Sequence, residues 1–220
     1  MNALLFFDIN GTLIKRDERT DIPYSNALNR LLGTENSMDG VDTSARSDKD
    51  VFMEVLKNHG RSFSEGSWKK FLEMYTLELQ RFAATDVWRA NADSTTFVRA
   101  LYDSGYTMAL ITGELSTGAE YKLRKTGVWN CFLTGGYGED GLKRFDIADS
   151  ALSRVKSMTG RSFDTTFVIG DTILDIETAR HLGAKSIAIT TGSHSREKLL
   201  SKGPDYCVDR FSELESLFLQ

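Results

Sequence analysis

The stretch ALLFFDINGTLIK at residues 3–15 changes abruptly from apolar to polar, and this change decides the fold. Ala3–Phe7 is a short apolar run with two aromatic residues, which predicts a buried strand. Asp8, Asn10 and Gly11 follow at once and are typical of a turn. A strand without polar alternation is buried on both faces, as in a parallel sheet covered by helices.

Four further apolar runs have the same character, and helical patterns separate them. The runs are Thr107–Ile111, Cys131–Leu133, Thr166–Ile169 and Ser186–Ile189. The helical patterns are Ser94–Ser104, Ser116–Thr126, Asp146–Met158, Ile173–Leu182 and Arg196–Lys202. Alternation of strands and helices predicts an α/β fold, with a Rossmann-like parallel sheet as its core.

The stretch between the first strand and residue 90 has a different texture. Its apolar residues recur at helical spacing, as in Val51, Val55 and Leu56, and no strand is evident. We predict three or four helices inserted after the first strand. The expected domains are a core of residues 1–15 and 90–220 and a small α-helical cap domain of residues 16–89.

Composition excludes several classes of protein. The 220 residues include 27 Lys and Arg against 31 Asp and Glu, a net charge of −4, so no nucleic-acid partner is expected. No apolar run approaches the roughly 18 residues of a membrane helix, and no signal peptide is recognisable. The two cysteines, Cys131 and Cys207, suggest neither a disulfide framework nor a metal site. We expect a soluble cytoplasmic protein without a membrane partner, and the oligomeric state stays open.

Polar residues follow three of the predicted strands. They are Asp8, Asn10, Gly11 and Thr12 after the first, Thr112 and Gly113 after the second, and Asp171 and Asp175 after the fourth. Ligands of open α/β sheets bind beyond the carboxyl ends of the strands, so these residues are expected to converge on one crevice.

The convergence has a chemical rationale. The carboxylates of Asp8, Asp171 and Asp175 would repel one another and raise each other's pKa values without a compensating cation. Mg²⁺, which binds a few carboxylates together with substrate phosphate, removes this conflict. The Gly11-Thr12 amides and the Thr112-Gly113 turn are candidate phosphate ligands. An Asp carboxylate can also act as a nucleophile and form an aspartyl-phosphate.

Three segments resemble motifs of the haloacid dehalogenase superfamily. FFDINGTL at 6–13 resembles motif I, LITGE at 110–114 motif II and VIGDTILDI at 168–176 motif IV. ARSDK at 45–49 is similar to the cap segment of phosphoglycolate-phosphatase-like members, which have a helical cap of the C1 type. The resemblance implies Mg²⁺-dependent hydrolysis of a small phosphorylated metabolite.

The resemblance also implies residue roles. Asp8 would be the nucleophile and a Mg²⁺ ligand, and Thr112 would hold the transferring phosphoryl group. Asn10 stands where the family has the Asp that serves as general acid and base, and whose backbone carbonyl binds Mg²⁺. Asp171 would ligate the metal directly, and Asp175 would ligate it or orient its waters.

Motif III of the family is a Lys or Arg before the helix that leads to the fourth strand. Lys143 and Arg144 are the candidates, and alignment from Gly138 favours Arg144. In the cap, Arg46 and Lys49 are candidates for binding an anionic substrate tail, with a solvated surface as the alternative reading.

Asn10 is the one departure from the family pattern. A neutral amide cannot transfer a proton, and a general acid or base typically contributes about 10²- to 10⁴-fold. Three explanations stay open from the sequence. The chain is a deliberately altered variant that traps substrate, a natural phosphatase with weak or altered chemistry, or a natural protein that binds a phosphorylated ligand without turnover.

Overall fold

A computed structural model describes residues 2–43 and 46–219 and shows one six-stranded sheet. The strands are β1 (Ala3–Phe7), β2 (Thr107–Ile111), β3 (Thr134–Gly136), β4 (Thr165–Gly170), β5 (Lys185–Ile189) and β6 (Tyr206–Val208). All paired strands are parallel, in the order β3-β2-β1-β4-β5-β6. The predicted α/β class with a parallel core is confirmed.

Helices connect the strands and fill the segment after β1. They are α1 (Ile22–Leu32), α2 (Asp48–Asn58), α3 (Glu65–Phe82), α4 (Ser94–Asp103), α5 (Ser116–Thr126), α6 (Arg144–Thr159), α7 (Ile173–His181), α8 (Arg196–Leu200) and α9 (Glu215–Phe218). Within the described ranges, every helix is too short or too polar to cross a lipid bilayer.

Strand β1 lies in the middle of the sheet, between β2 and β4. Its side chains alternate between two apolar clusters. Leu5 and Phe7 pack in the cluster that contains residues of α4 and α5, whereas Leu4 and Phe6 pack in the cluster that contains residues of α6. Burial on both faces therefore places Asp8, the next residue, at the centre of the carboxyl edge.

The third strand differs from the prediction. The run Cys131–Leu133 was expected to be a strand, but Trp129–Cys131 form a 3₁₀ turn and the strand begins at Thr134. The reason is close packing of a helix. A Cβ on Gly136 would lie 2.2 Å from the carbonyl oxygen of Ile147 in α6, so glycine replaces the apolar side chains expected in a buried strand. The three-residue edge strand β6 was not predicted.

Helices α1, α2 and α3 pack around an apolar cluster of their own. Its centre is aromatic, with Phe52 and Trp68 rings 4.8 Å apart and Tyr24 and Phe71 rings 5.0 Å apart. Leu115, which precedes α5, joins this cluster and connects it to the sheet. Three helices agree with the predicted number; the division into core and cap domains stays a prediction.

The chain enters and leaves this helical insert at one place. The Lys15 amide donates to the Arg89 carbonyl at 2.8 Å, and Ile14 forms an antiparallel bridge with Ala90. The Asn91 side chain donates to the carbonyl of Gly11 at 2.9 Å. The insert is therefore attached directly to the loop that follows β1.

Gly136→Ala should destabilise the fold by about 1–3 kcal/mol, because the added methyl group overlaps the α6 backbone. Gly66→Ala is the matched control. Gly66 lies in the first turn of α3 with open space around its Cα, so alanine there should stabilise the fold by up to about 1 kcal/mol. Urea unfolding measures both; equal effects of the two substitutions would contradict the close packing of β3 and α6.

Candidate active site

A cavity of about 580 Å³ lies at the carboxyl ends of the central strands. Eight of the sequence-predicted site residues line it: Asp8, Asn10, Arg46, Thr112, Gly113, Arg144, Asp171 and Asp175. Four others, Gly11, Thr12, Lys49 and Lys143, are not among its lining residues. The sheet thus brings together the polar residues that follow β1, β2 and β4.

Arg144 joins two of the carboxylates. It is the first residue of α6, and its Nη2 donates to Asp8 Oδ1 at 2.9 Å and to Asp175 Oδ1 at 2.5 Å. The Arg144 side chain is only 10% exposed. Lys143, the preceding N-cap residue, is exposed. Of the two motif III candidates, Arg144 is therefore the cation that lies in the cavity.

Asp8 and Asp175 share one guanidinium, and burial and mutual repulsion disfavour the charged forms of Asp8 and Asp171 at this end of the cavity. The pKa of Asp8 is raised to about 8. Burial is the main cause, the charges of Asp175 and Asp171 add to it, and Arg144 opposes it. Burial, and then the charge of Asp175, likewise raises the pKa of Asp171. If all three carboxylates were ionised, the single guanidinium would leave a surplus of two negative charges at this end of the cavity, and the raised pKa values of Asp8 and Asp171 reflect that repulsion.

Asp171 is held by the loops that follow β1 and β5. It accepts hydrogen bonds from the Ser193 amide at 2.6 Å and the Thr12 hydroxyl at 3.2 Å. Gly11 has φ +91°, and a Cβ there would lie 2.6 Å from Asp171 Oδ2. The Gly11 amide donates to the Ile14 carbonyl at 2.8 Å. Gly11 and Thr12 thus shape the turn and orient Asp171. The Gly11 amide was predicted to bind phosphate, but it is already hydrogen-bonded within the turn.

Asp175 has a fixed orientation because it closes a capping box at the start of α7. Its Oδ2 accepts from the Thr172 amide at 3.0 Å and the Thr172 hydroxyl at 2.7 Å. The other oxygen, Oδ1, accepts from Arg144. Asp175 therefore serves as the helix cap and as the partner that places Arg144 beside Asp8.

The donor set suits a hard divalent cation in charge and atom type. Asp8 and Asp171 supply carboxylate oxygens, which Mg²⁺ prefers, and the charge surplus equals that of one such ion. In the part of the chain that the structure describes, no group of three His, Cys, Asp or Glu side chains is preassembled as a metal site. One of the three carboxylates, that of Asp175, is hydrogen-bonded to Arg144 instead.

The loop after β2 is tied to the helical insert. The Thr112 amide donates to Gly136 at 3.0 Å, and its hydroxyl accepts from the Glu114 amide at 3.2 Å. The Asp48 amide at the start of α2 donates to the Gly113 carbonyl at 2.8 Å. A Cβ on Gly113 would lie 2.2 Å from the Arg46 carbonyl oxygen, so glycine permits this close passage.

The two cap cations predicted to bind a substrate tail lie in different surroundings. Arg46 lines the cavity but pairs with Asp50 at 2.7 Å and Glu54 at 2.5 Å. Lys49 lies 5.8 Å from the ring centre of Phe63, outside the cavity lining. Ala45, the first residue of the segment that resembles the family's cap motif, lies outside the described residues.

The Asn10 side chain is bonded at both ends. Its Oδ1 accepts from Lys122 Nζ at 3.0 Å, and its Nδ2 donates to Glu114 Oε2 at 3.2 Å. Lys122 and Glu114 form an ion pair of 2.7 Å, with side chains only 2% and 5% exposed. Burial raises the pKa of Glu114, and Lys122 opposes the shift. These three groups form a closed hydrogen-bonded ring, in which Glu114 and Lys122 are buried and Asn10 is half-buried.

Sequence reasoning did not assign a role to Glu114 or Lys122. Glu114 belongs to the quoted LITGE segment, so its place beside the site was implicit. Lys122 carried a signal of its own, because it lies on the buried face of α5 beside Ala119 and Leu123. A lysine on the apolar face of a helix needs a buried partner.

Comparisons with known proteins point to one family. A family model described as HAD-hydrolase-like matches residues 146–214. A Clostridium perfringens protein provisionally named pyrophosphatase PpaX is 23% identical over 218 residues, which are 99% of this chain and 97% of that protein. A phosphoglycolate phosphatase from Vibrio parahaemolyticus is 27% identical over 114 residues, or 52% of this chain and 50% of that protein.

Solved structures share the fold over nearly the full length. CbbY from Rhodobacter sphaeroides, as an Asp-to-Asn mutant in complex with xylulose-1,5-bisphosphate, superimposes with a TM-score of 0.68. The two sequences are 18% identical, and the match covers 97% of this chain and 96% of that one. At this identity the likeness concerns the fold.

Arg144→Ala should lower the free energy of unfolding by about 3–5 kcal/mol at neutral pH without divalent cations, because two buried carboxylates lose their shared partner. The deficit should grow as the pH rises above about 8, because Asp8 then loses its proton beside Arg144, whereas in the variant the same charge would have no partner. Lys143→Ala, a neighbouring exposed lysine, should change stability by less than about 0.5 kcal/mol. Urea unfolding of both variants tests the assignment; equal losses would contradict it.

Proposed function

Because this chain belongs to the haloacid dehalogenase-like hydrolases, we propose that it is a Mg²⁺-dependent phosphomonoester hydrolase with Asp8 as nucleophile. The observation that carries the proposal is the position of Asp8. It ends the central strand, lines the cavity, and is held by Arg144 with Thr112 in the same lining. A small phosphorylated metabolite as substrate and a cytoplasmic location belong to the same proposal.

The first step uses the carboxylate of Asp8. Arg144 holds Oδ1, which leaves Oδ2 to attack phosphorus. The bond between phosphorus and the ester oxygen breaks, the alcohol departs with that electron pair, and an aspartyl-phosphate forms. Attack by water on phosphorus then releases phosphate and restores the carboxylate. The Thr112 hydroxyl, from a residue in the same lining, would hydrogen-bond the transferring group.

The residues that would hold Mg²⁺ are Asp8, Asp171 and the backbone carbonyl of Asn10. When bound, the ion would neutralise charge on the phosphoryl group and on the carboxylates. Asp175 supports this end of the site indirectly, because it holds Arg144 against Asp8. Arg144 thus compensates part of the negative charge, and the remaining surplus corresponds to one divalent ion.

Proton transfer is the weak step of this site. The departing alcohol needs a proton and the attacking water must lose one, but the Asn10 amide can do neither. The two ionisable groups that are hydrogen-bonded to it, Lys122 and Glu114, are paired with each other at 2.7 Å. We infer slow turnover in this chain.

A second candidate function is binding of a phosphorylated ligand without turnover. The observation that favours it is the match between the Asn10 amide and its surroundings: the carbonyl end meets a lysine donor and the amino end meets a carboxylate. An Asp at this position would face Glu114 across the same 3.2 Å. The CbbY mutant, in which Asn replaces an Asp, is a protein of this fold in complex with a bisphosphate.

The exchange Asn10→Asp with Glu114→Gln should raise Mg²⁺-dependent hydrolysis of an aryl phosphate by about 10²- to 10⁴-fold over the chain with Asn10 and Glu114. It restores an acid at position 10 while keeping one carboxylate beside Lys122. Asn10→Asp alone should gain less, because it buries a second carboxylate against Glu114. Initial rates of the four proteins, including Glu114→Gln, measure the effect.

Two controls frame this result. Asp8→Asn in the doubly exchanged protein should abolish hydrolysis and any covalent phosphoprotein, which acid quenching and mass spectrometry detect. A doubly exchanged protein that folds, keeps Asp8 and is no faster than the chain with Asn10 and Glu114 would contradict the phosphatase proposal and support the binding protein.

Mg²⁺ at 100 times its dissociation constant should raise the free energy of unfolding of the unmutated protein by about 2.7 kcal/mol. The shift arises because the ion neutralises carboxylates that repel one another in the folded site. Asp171→Asn should remove most of it, whereas Asp164→Asn, an exposed residue before β4, should leave it intact. Thermal unfolding with and without Mg²⁺ gives the answer, and an unchanged shift in Asp171→Asn would exclude Asp171 as a ligand.

A further inference from the structure

We propose that the leaving group of the substrate carries a protonated amine, which the acidic and aromatic wall formed by Asp21, Tyr24, Asp48 and Tyr75 binds. This inference rests on the proposed phosphatase function and specifies its substrate class. All four residues line the same cavity as Asp8 and come from the helical insert or its entry. We call them the acidic wall.

The acidic wall adjoins the reaction centre through the loop after β2. Asp48 Oδ2 accepts from the Leu115 amide at 2.8 Å, and the Asp48 amide donates to Gly113. Glu114, between these two residues, is bonded to Asn10, two positions from the nucleophile. The loop after β2 thus connects the Asp8 end of the cavity with Asp48, and we expect the ester substituent of a phosphoryl group at Asp8 to extend toward the acidic wall.

The wall contains two carboxyl groups that have no cationic partner in the described part of the chain. The salt bridges of the described residues leave both Asp21 and Asp48 without a cation. Two cations lie near, but Lys122 is paired with Glu114, and Arg46 is paired twice with other carboxylates. Burial, and then the charge of Glu114, raise the pKa of Asp48, as expected for a carboxylate that lacks a counter-ion. A bound ammonium group would supply it.

A separate polar group also lacks a partner. Thr20 lines the cavity beside Asp21 and is only 8% exposed. Its hydroxyl is buried and has no hydrogen-bond partner in the described structure. A buried hydroxyl without a partner costs about 1–3 kcal/mol, so a ligand that offers an N–H donor gains by satisfying it.

The aromatic members of the wall suit the same ligand. Tyr24 and Tyr75 lie edge to face, with ring centres 5.7 Å apart, and both are buried. Ring faces attract ammonium groups, and carboxylates next to such rings strengthen the attraction. A carboxylate or a second phosphate on the leaving group would instead be repelled by Asp21 and Asp48.

The cavity also contains cations, but they belong to another wall. Arg16 donates to the Ser193 hydroxyl, and Lys198 lies 2.9 Å from the His194 ring. Ser193 and His194 follow β5, on the side of Asp171. Arg16 and Lys198 are exposed, so solvent and salt screen their charges. Asp21 is exposed as well, but the other three members of the acidic wall are not, and Asp48 adjoins the loop after β2, so this wall is expected to dominate selection of the leaving group.

The inference is tested by measuring calorimetrically how tightly three small phosphates of similar size bind to the unmutated protein in Mg²⁺ at pH 7. 2-Aminoethyl phosphate should bind about tenfold more tightly than ethyl phosphate, the scale of one charge-assisted hydrogen bond, and phosphoglycolate should bind most weakly. If 2-aminoethyl phosphate binds no more tightly than ethyl phosphate, the inference is wrong. Tightest binding of phosphoglycolate would assign the leaving group to the wall of Arg16 and Lys198.

Variants locate the preference. Asp48→Asn keeps an acceptor for the Leu115 amide but removes the charge, and Asp21→Asn removes the charge of an exposed residue. Each should weaken binding of 2-aminoethyl phosphate about tenfold and leave ethyl phosphate unchanged. Asp103→Asn, an exposed residue at the end of α4, should change neither affinity. Equal weakening of both ligands, or none, would overturn the assignment.

The binding readout is independent of turnover. A failure of the aryl phosphate assay would count against the hydrolase, whereas the order of the three affinities would still decide the leaving group. Conversely, if the protein hydrolyses an aryl phosphate but binds the three ligands equally well, the proposed hydrolase activity stands and the proposed amine on the leaving group is wrong.

Discussion

The mutual repulsion of Asp8, Asp171 and Asp175 is the constraint on which the rest of the site depends. The parallel pairing of β1 with β4 brings their carboxyl ends together, so these side chains are held close whether or not their charges are balanced. Arg144 balances part of that charge from the first turn of α6. Its position requires α6 to lie tightly on β3, which the glycines of that strand permit. The packing of an edge strand and the electrostatics of Asp8 are thereby linked.

Much of this could be predicted from the sequence because the signals are local. An apolar run followed by a polar turn identifies a buried strand and its carboxyl end, and parallel pairing then brings such ends together. Thr134–Gly136 escaped prediction because its strand character comes from contact with a helix, not from its own side chains. The three residues of β6 are too few to give a periodic signal.

The surroundings of Asn10 could not be predicted for a different reason. The partner of its carbonyl, Lys122, is 112 positions away, and their contact depends on the rotation of α5 about its own axis. Sequence shows where charges are but not which of them neutralise one another. Arg46 and Lys49 illustrate the same gap: both are cations in the right segment, yet one is paired with carboxylates and the other lies over an aromatic ring. The unpaired state of Asp21 and Asp48 likewise becomes visible only when every nearby pairing is known.

The residue types at positions 10 and 114 depend on each other through the charge of Lys122. The buried pocket around Lys122 offers one positive charge and is neutral with one carboxylate. If that carboxylate is Glu114, position 10 requires a neutral group that donates toward it and accepts from the lysine, and an amide does both. An acid at position 10 would add a negative charge between two regions that already have a surplus, the carboxylates around Asp8 and the acidic wall. The residue at position 10 is then linked to the carboxylate on the neighbouring loop, and a study of position 10 alone would attribute to one residue a property that belongs to the pair.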